Sequence, residues 1–157
     1  MTKFGTAVAA LALAAGLAGV AAAHEPAASI TERQALMKLV GASFGSIKMA
    51  IDSKDAAQIK AAEGRARAIA AASAAIPTMF PAGSDAKAGK TAALAKIWED
   101  PAGFKKAAET MGQRATALAD ALKSGEAGAA ATALAAFGEL GKEGCGNCHG
   151  TYRAKQN

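Results

Sequence analysis

The chain has 157 residues, of which 52% are hydrophobic and 4% aromatic, and its formal net charge at pH 7 is +5. This length suits one domain built around a single hydrophobic core. The basic residues form no cluster with interleaved aromatic residues, which argues against nucleic-acid binding, and we expect no nucleic-acid partner.

Residues 1–23 are predicted to be a signal peptide. Lys3 gives a positive start, an uncharged apolar stretch follows, and residues 21–23 are all alanine, which suits cleavage before His24. The apolar stretch is short for a membrane span. We therefore expect export to the periplasm, no membrane span after cleavage, and one domain over residues 24–157. Its net charge is +4, because Lys3 is the only charged residue removed.

Two long helices are predicted in the first half of this domain. The first covers residues 29–51, with Ser29 and Glu32 as a candidate capping box. The second covers residues 55–76 and ends at Pro77. Their buried faces repeat at helical spacing and not in strand alternation. The predicted inner positions are Ile30, Arg33, Met37, Val40, Phe44, Ile47 and Ile51 in the first helix and Ile59, Ala62, Ala66, Ile69, Ser73 and Ile76 in the second.

The second half of the domain predicts a loop over residues 77–90, a short helix near 91–98, and two further long helices. Asp100 and Pro101 begin the third helix as N-cap and first helical residue. The fourth covers residues 126–153. The predicted inner positions are Phe104, Ala108, Met111, Ala115, Leu118 and Leu122 in the third helix and Ala130, Leu134, Phe137, Gly141, Gly144 and Cys148 in the fourth. Four amphipathic helices predict an all-α, antiparallel up-down-up-down four-helix bundle.

The most specific motif is Cys145-Gly146-Asn147-Cys148-His149. A C-x-x-C-H run is typical of c-type haem attachment, in which both thiols form thioethers and the histidine ligates iron. On a helix these side chains share one face. A thioredoxin-like C-x-x-C belongs in a βαβ unit, and a structural zinc site needs four ligands; neither is indicated. We expect one haem c, bound covalently through Cys145 and Cys148, with His149 on the iron.

Met37 is the candidate for the sixth iron ligand, because it lies on the inner face of the first helix. Met111 is more simply a core residue and Met49 falls off the inner face. His24 is the only other imidazole, at the solvated start of the mature chain. Arg33 lies one turn before Met37 on the same apolar face. It either pairs with an anion such as a haem propionate or extends to solvent at the end of the bundle.

These residues resemble the cytochrome c′ family, the class II c-type cytochromes, over essentially all of residues 24–157. The C-terminal motif alone is shared by all c-type cytochromes, but its position and the run in the first helix make the resemblance specific. The matching segments are Arg33-Gln34-Ala35-Leu36-Met37, Phe80-Pro81-Ala82-Gly83-Ser84, Ile97-Trp98 and Cys145-Gly146-Asn147-Cys148-His149-Gly150-Thr151-Tyr152-Arg153.

The resemblance implies a four-helix bundle, often a homodimer, with His149 axial to iron. Arg153 matches a basic residue near that histidine in the family; alternatively, it is a cation that favours the end of the helix dipole. The family divides at the position of Met37. Five-coordinate members bind nitric oxide or carbon monoxide there, whereas low-spin relatives use a methionine ligand and carry electrons.

Met37 is compatible with both branches, but the sequence around it and at Gly146-Asn147 is more similar to the methionine-ligated relatives. We therefore expect an electron carrier with redox partner proteins, with a diatomic gas as the alternative ligand. No nucleophile–base pair or pair of carboxylates indicates catalytic turnover, so we expect that the protein is not an enzyme.

Overall fold

The computed structural model describes residues 25–124 and 129–155. The predicted signal peptide at 1–23, His24 and the predicted start of the fourth helix at Glu126 lie outside the described residues. The helical elements are α1 (Pro26–Asp52), α2 (Ala56–Ala61), α3 (Glu63–Ala75), a 3₁₀ turn (Ile76–Met79), α4 (Lys96–Glu99), α5 (Pro101–Lys123), α6 (Ala129–Glu139), a π-helix (Leu140–Gly146) and α7 (Asn147–Tyr152).

Four helical columns form the bundle: α1, α3, α5 and the C-terminal column made of α6, the π-helix and α7. The α3 helix packs on α1 and α5, α5 packs on the C-terminal column, and α6 closes against α1. Consecutive columns are therefore neighbours, as in an up-down-up-down bundle. The predicted all-α four-helix bundle is confirmed. None of the described helices combines the length and apolarity that crossing a membrane requires.

Small side chains at the centre of the bundle set its close helix packing. Ala66, Ala115, Ala119 and Ala133 are fully buried beside larger aliphatic residues. Each alanine removes little apolar area from water, so its burial contributes less than a leucine would. The large residues that fill the remaining core are Ile47, Ile69, Leu118, Leu122 and Leu140.

The predicted capping box at the start of the first helix is wrong. The helix begins at Pro26, preceded by Glu25 as N-cap, and Ser29 is buried inside the first turn. Its hydroxyl donates to the Glu25 carbonyl at 3.4 Å. Proline at the first position needs no N–H partner, so it starts the helix three residues earlier than the serine motif predicts.

The second predicted helix is interrupted at Ala62, which ends α2 and precedes α3. Its predicted start is confirmed, because the Asp55 carboxylate accepts a hydrogen bond from the Gln58 amide at 2.9 Å. The α-helix ends at Ala75, and Pro77 lies within the 3₁₀ turn. All predicted inner residues of this column are nevertheless buried.

The start of α5 is also as predicted, with the Asp100 carboxylate accepting from the Gly103 amide at 3.0 Å. The short helix before it is smaller than the predicted 91–98. The preceding residues instead pair with the C-terminus: Leu94 N–H donates to the Tyr152 carbonyl at 3.0 Å and Ala154 N–H to the Ala92 carbonyl at 2.8 Å. This single antiparallel bridge is the only extended pairing in the described ranges.

The C-terminal column differs most from its prediction. The seven residues from Leu140 to Gly146 form a π-helix, in which the Asn147 amide donates to the Lys142 carbonyl five residues back. Leu134, predicted to face inward, is 48% exposed, whereas Leu140 is fully buried. Three glycines within the segment weaken the α-helical preference there, and π-helical turns frequently occur at functional sites.

Candidate haem-binding site

A cavity of about 550 Å³ lies between α1 and the end of the C-terminal column. This volume falls in the range of pockets that hold drug-sized ligands and cofactors. The structure brings together in its lining all of the site residues predicted from the sequence, namely Arg33, Met37, Cys145, Cys148, His149 and Arg153.

The cavity separates the helix that carries Met37 from the helix that carries His149. No Cα atom of α1 lies within 8 Å of a Cα atom of α7 in the described chain. Both side chains line the same cavity from these two separated elements. A planar group inserted between the helices can therefore be contacted from one side by α1 and from the other by α7.

The wall that carries the two cysteines and the histidine is only partly exposed. Cys145 lies in the π-helix, and Cys148 and His149 lie in the following turn of α7. Burial lowers the pKa of His149, and the charge of Arg153 lowers it further. Both effects favour the neutral imidazole, which is the form that binds a metal ion.

The environment of the thiols argues against a redox-active C-x-x-C. Burial raises the pKa of Cys145, and burial together with Cys145 raises the pKa of Cys148. Catalytic C-x-x-C motifs instead have a lowered pKa in an electropositive environment. Both thiols are free of disulfides. In residues 25–124 and 129–155, no group of three His, Cys, Asp or Glu side chains is placed to hold a metal ion.

Arg33 is buried at one edge of the cavity, with 3% of its surface exposed. Its guanidinium donates to the Ser84 hydroxyl at 2.8 Å, the Ser84 carbonyl at 2.7 Å and the Thr91 hydroxyl at 3.0 Å. It also lies 4.4 Å above the centre of the Phe80 ring. Extension into solvent, one of the two sequence-based alternatives, is therefore wrong. The other alternative, an anionic partner, stays a prediction.

These three acceptors are neutral oxygens, and the ion pairs of the described residues give the Arg33 guanidinium no counterion. Burial lowers the pKa of Arg33, because desolvation disfavours the charged form. A carboxylate in the cavity would offset that penalty and accept a charge-assisted hydrogen bond.

The loop between α3 and α5 is fastened to the rest of the site at both ends. The indole N–H of Trp98 donates to the carbonyls of Phe80 and Pro81, at 3.1 and 3.2 Å. The Gln34 amide donates to the Lys90 carbonyl at 2.9 Å. The four segments that carry the family resemblance thus meet around one cavity.

An aromatic cluster forms the apolar wall beneath this loop. Phe104 packs edge-to-face against Phe80 at 4.9 Å and against Tyr152 at 5.1 Å between ring centroids. Val40, Ile97 and Met111 extend the wall. The predicted core position of Met111 is confirmed, although it also lines the cavity.

A hydrogen bond joins Tyr152 of α7 to the N-cap of α5. The Tyr152 hydroxyl donates to the Asp100 carboxylate at 3.1 Å. The pKa of Asp100 is lowered most by the hydrogen bond from the Gly103 amide and next by the one from this hydroxyl. The pKa of Tyr152 is raised most by burial and next by its hydrogen bond to Asp100. The bond fixes the last turn of α7, which carries His149, against the start of α5.

Sequence reasoning missed Lys38, Lys90 and Thr91, which also line the cavity. Lys38 directly follows the candidate ligand Met37, and this position next to Met37 could have predicted that Lys38 lies near the cavity. Lys90 and Thr91 lie in a loop without periodicity, and only the fold brings them beside α1.

The residues present fit a covalently attached haem. Two thiols and an imidazole form one wall, a thioether and apolar side chains form the others, and the lining includes cations that could pair with the haem carboxylates. Gly144 is buried against Met111, and a Cβ atom there would lie 3.2 Å from the Met111 Cα atom. The glycine therefore allows the cysteine-bearing segment to approach α5.

Comparison with known proteins identifies the family. The family model described as cytochrome C′ matches residues 28–153. Cytochrome c-556 of Agrobacterium fabrum is 35% identical over 133 residues, which cover 83% of this chain and 84% of that protein.

Solved structures give the same result. Cytochrome c prime from Shewanella frigidimarina is 37% identical, with a TM-score of 0.70 over 83% of this chain and 98% of that one. The nitric oxide complex of a mutant of cytochrome c prime from Alcaligenes xylosoxidans is 26% identical, with a TM-score of 0.69 over 83% and 98% of the two chains. The chain belongs to the cytochrome c′ family of haem proteins, and its cofactor is covalently attached haem c.

Proposed function

We propose that this protein is an exported monohaem electron carrier, in which Cys145 and Cys148 hold the haem and His149 and Met37 ligate its iron. The observation that carries the proposal is that Met37 and His149 line one cavity from two helices that do not approach each other. The haem supplies a one-electron redox centre whose potential a Met/His ligand pair raises.

The chain's own residues orient and insulate that centre. The α7 turn holds the imidazole of His149, and the Tyr152–Asp100 hydrogen bond restricts how that turn can move. Phe80 and Phe104 line the cavity with apolar rings, which give water no hydrogen-bond partner there. A fixed, mostly apolar environment reduces the rearrangement that accompanies a change of charge, which suits electron transfer.

Arg33 and Arg153 act on charge at the edges of the site. We assign Arg33 to a haem propionate, because its guanidinium lies at the cavity edge, already positioned by Ser84 and Thr91. We assign Arg153 to the proximal side, where its charge acts on His149. Family members are haem proteins that carry electrons or bind gases, and we propose no enzymatic turnover here.

The second candidate is a five-coordinate protein that binds nitric oxide or carbon monoxide. The observation that favours it is the similarity to a cytochrome c prime whose solved structure is a nitric oxide complex. On this reading Met37 covers an open position on the iron. Export to the periplasm and homodimer formation are common to both candidates and are part of the proposal.

The two candidates differ in the spectrum of the ferric protein. Methionine ligation predicts a low-spin spectrum with the far-red sulfur-to-iron charge-transfer band, and the replacement Met37→Leu should abolish both. Met111→Leu is the matched control, because Met111 lines the same cavity but is a core residue of α5. A wild-type protein that is high-spin and binds carbon monoxide readily would reject Met37 as ligand and favour the second candidate.

A further inference from the structure

The charged side chains known to line the cavity are all cations. They are Arg33, Lys38, Lys90 and Arg153, and no Asp or Glu side chain is among the described residues of the lining. Arg33 is buried, whereas the other three are exposed at the mouth of the cavity. The mouth therefore presents positive charge to solvent around an apolar interior.

The fold adds a further cation to this mouth. The bridge between Ala93 and Arg153 aligns the C-terminal residues antiparallel to the loop that carries Lys90. The exposed Lys155 directly follows Ala154, whose amide donates to the Ala92 carbonyl next to that loop. We call Lys38, Lys90, Arg153 and Lys155 the basic mouth.

The Asp85 and Asp100 carboxylates form no ion pair with the basic mouth. Asp85 accepts from the Lys87 amide at 2.8 Å, and Asp100 is held by Gly103 and Tyr152. Elsewhere on the bundle cations do pair with acids, as Lys48 does with Asp52 at 2.5 Å. The ion pairs between side chains of residues 25–124 and 129–155 include no member of the basic mouth.

The surplus exceeds what a haem would neutralise. A haem carries two propionate carboxylates, and the cavity lining alone contributes four cations. We propose that the basic mouth is the docking surface for a redox partner protein that presents a cluster of carboxylates. Opposite charge steers such partners into contact and raises their association rate. This inference rests on the proposed electron transfer and names the chemistry of the partner.

The first test measures oxidation of the reduced, haem-loaded protein by two small probes of opposite charge. Ferricyanide is an anion and tris(phenanthroline)cobalt(III) is a cation. The variant Lys38→Glu/Lys90→Glu should lower the ferricyanide rate about tenfold near 10 mM ionic strength and raise the cobalt rate, and about 1 M salt should remove both effects. Lys60→Glu/Lys123→Glu is the control, because it changes the net charge equally at exposed positions near the other end of the bundle. Equal effects in both variants would overturn the proposal.

The second test distinguishes a protein partner from a lipid surface. Hexaglutamate should slow the ferricyanide reaction of the wild-type protein at low salt but not that of Lys38→Glu/Lys90→Glu. No inhibition by hexaglutamate, together with sedimentation on phosphatidylglycerol vesicles that the variant loses, would reject an acidic protein in favour of a membrane.

Both tests are separate from the test of the iron ligands. A high-spin ferric spectrum rejects methionine ligation, yet a five-coordinate haem still exchanges electrons with both probes. Probe rates that are insensitive to salt would contradict the proposed docking role of the basic mouth, even if the far-red band is present.

Discussion

Gly144 lies at a close contact between the π-helix and α5, and the replacement Gly144→Ala tests that packing. A Cβ atom there would lie 2.8 Å from Leu140 Cδ1 and 3.2 Å from Met111 Cα. The leucine tip can rotate away, but the methionine contact is with backbone. The added methyl group must therefore push the cysteine-bearing segment away from α5.

Two opposing effects set the size of the change. Alanine is a better helix former than glycine by up to about 1 kcal/mol. Overpacking a close contact costs about 1–3 kcal/mol. We expect Gly144→Ala to lower the free energy of unfolding by about 1–2 kcal/mol, because the neighbouring backbone cannot yield without a shift of a whole helix.

The assay is urea unfolding of the haem-loaded protein, followed by far-ultraviolet circular dichroism. Gly138→Ala is the matched control on the same column, because Gly138 is exposed and a Cβ atom there would meet nothing within 4 Å. That variant should gain about 0.5–1 kcal/mol. If Gly144→Ala is stabilised as much as Gly138→Ala, the proposed close contact does not constrain the site.

Three further predictions concern the surroundings of the cavity. Arg33→Lys loses the guanidinium geometry that reaches its three acceptors, and urea unfolding should show a loss of about 1–3 kcal/mol; an unchanged midpoint would mean that these hydrogen bonds add no stability. The lowered pKa of Asp100 means that its carboxylate stabilises the fold above its unfolded-state pKa and loses that effect as pH falls through the lower folded value. Asp100→Asn should therefore flatten the acid side of the stability–pH curve, and curves that stay parallel would contradict this. The double variant Cys145→Ala/Cys148→Ala should lose covalent haem and melt at a lower temperature, whereas melting like wild type would show that the cofactor is not part of the core.

Periodicity predicted the helical columns well because burial of one face governs them. The inner residues of α3 and α5 are buried at the predicted spacing. The C-terminal column was predicted less well, because a π-helix changes the angle between successive residues. An α-helical projection therefore placed Leu134 inside, whereas Leu140 occupies the core.

Helix boundaries depend on local competition that the sequence shows only in part. Asp55 and Asp100 cap their helices as predicted. Ser29 does not, since Pro26 already begins the helix. The short α4 helix loses its predicted first turn because the backbone near Ala93 pairs with the C-terminus, a long-range contact that no local pattern encodes.

The candidate site was predictable where a compact motif carries it. Cys145, Cys148 and His149 are adjacent in sequence, and the inner-face position of Met37 follows from helical spacing. The partners of Arg33 were not predictable, because Ser84 and Thr91 lie more than fifty residues away in an irregular loop. The same loop carries Lys90, so the basic mouth could be identified only from the structure.

Covalent attachment at the C-x-x-C-H motif is the central claim, and mass spectrometry of the exported protein tests it most directly. After denaturation in acid, the chain should keep the mass of one haem, a proteolytic peptide containing Cys145 and Cys148 should carry it, and neither thiol should react with a thiol reagent. A colourless chain of unmodified mass with two reactive thiols, obtained from cells that mature other c-type cytochromes, would contradict the account.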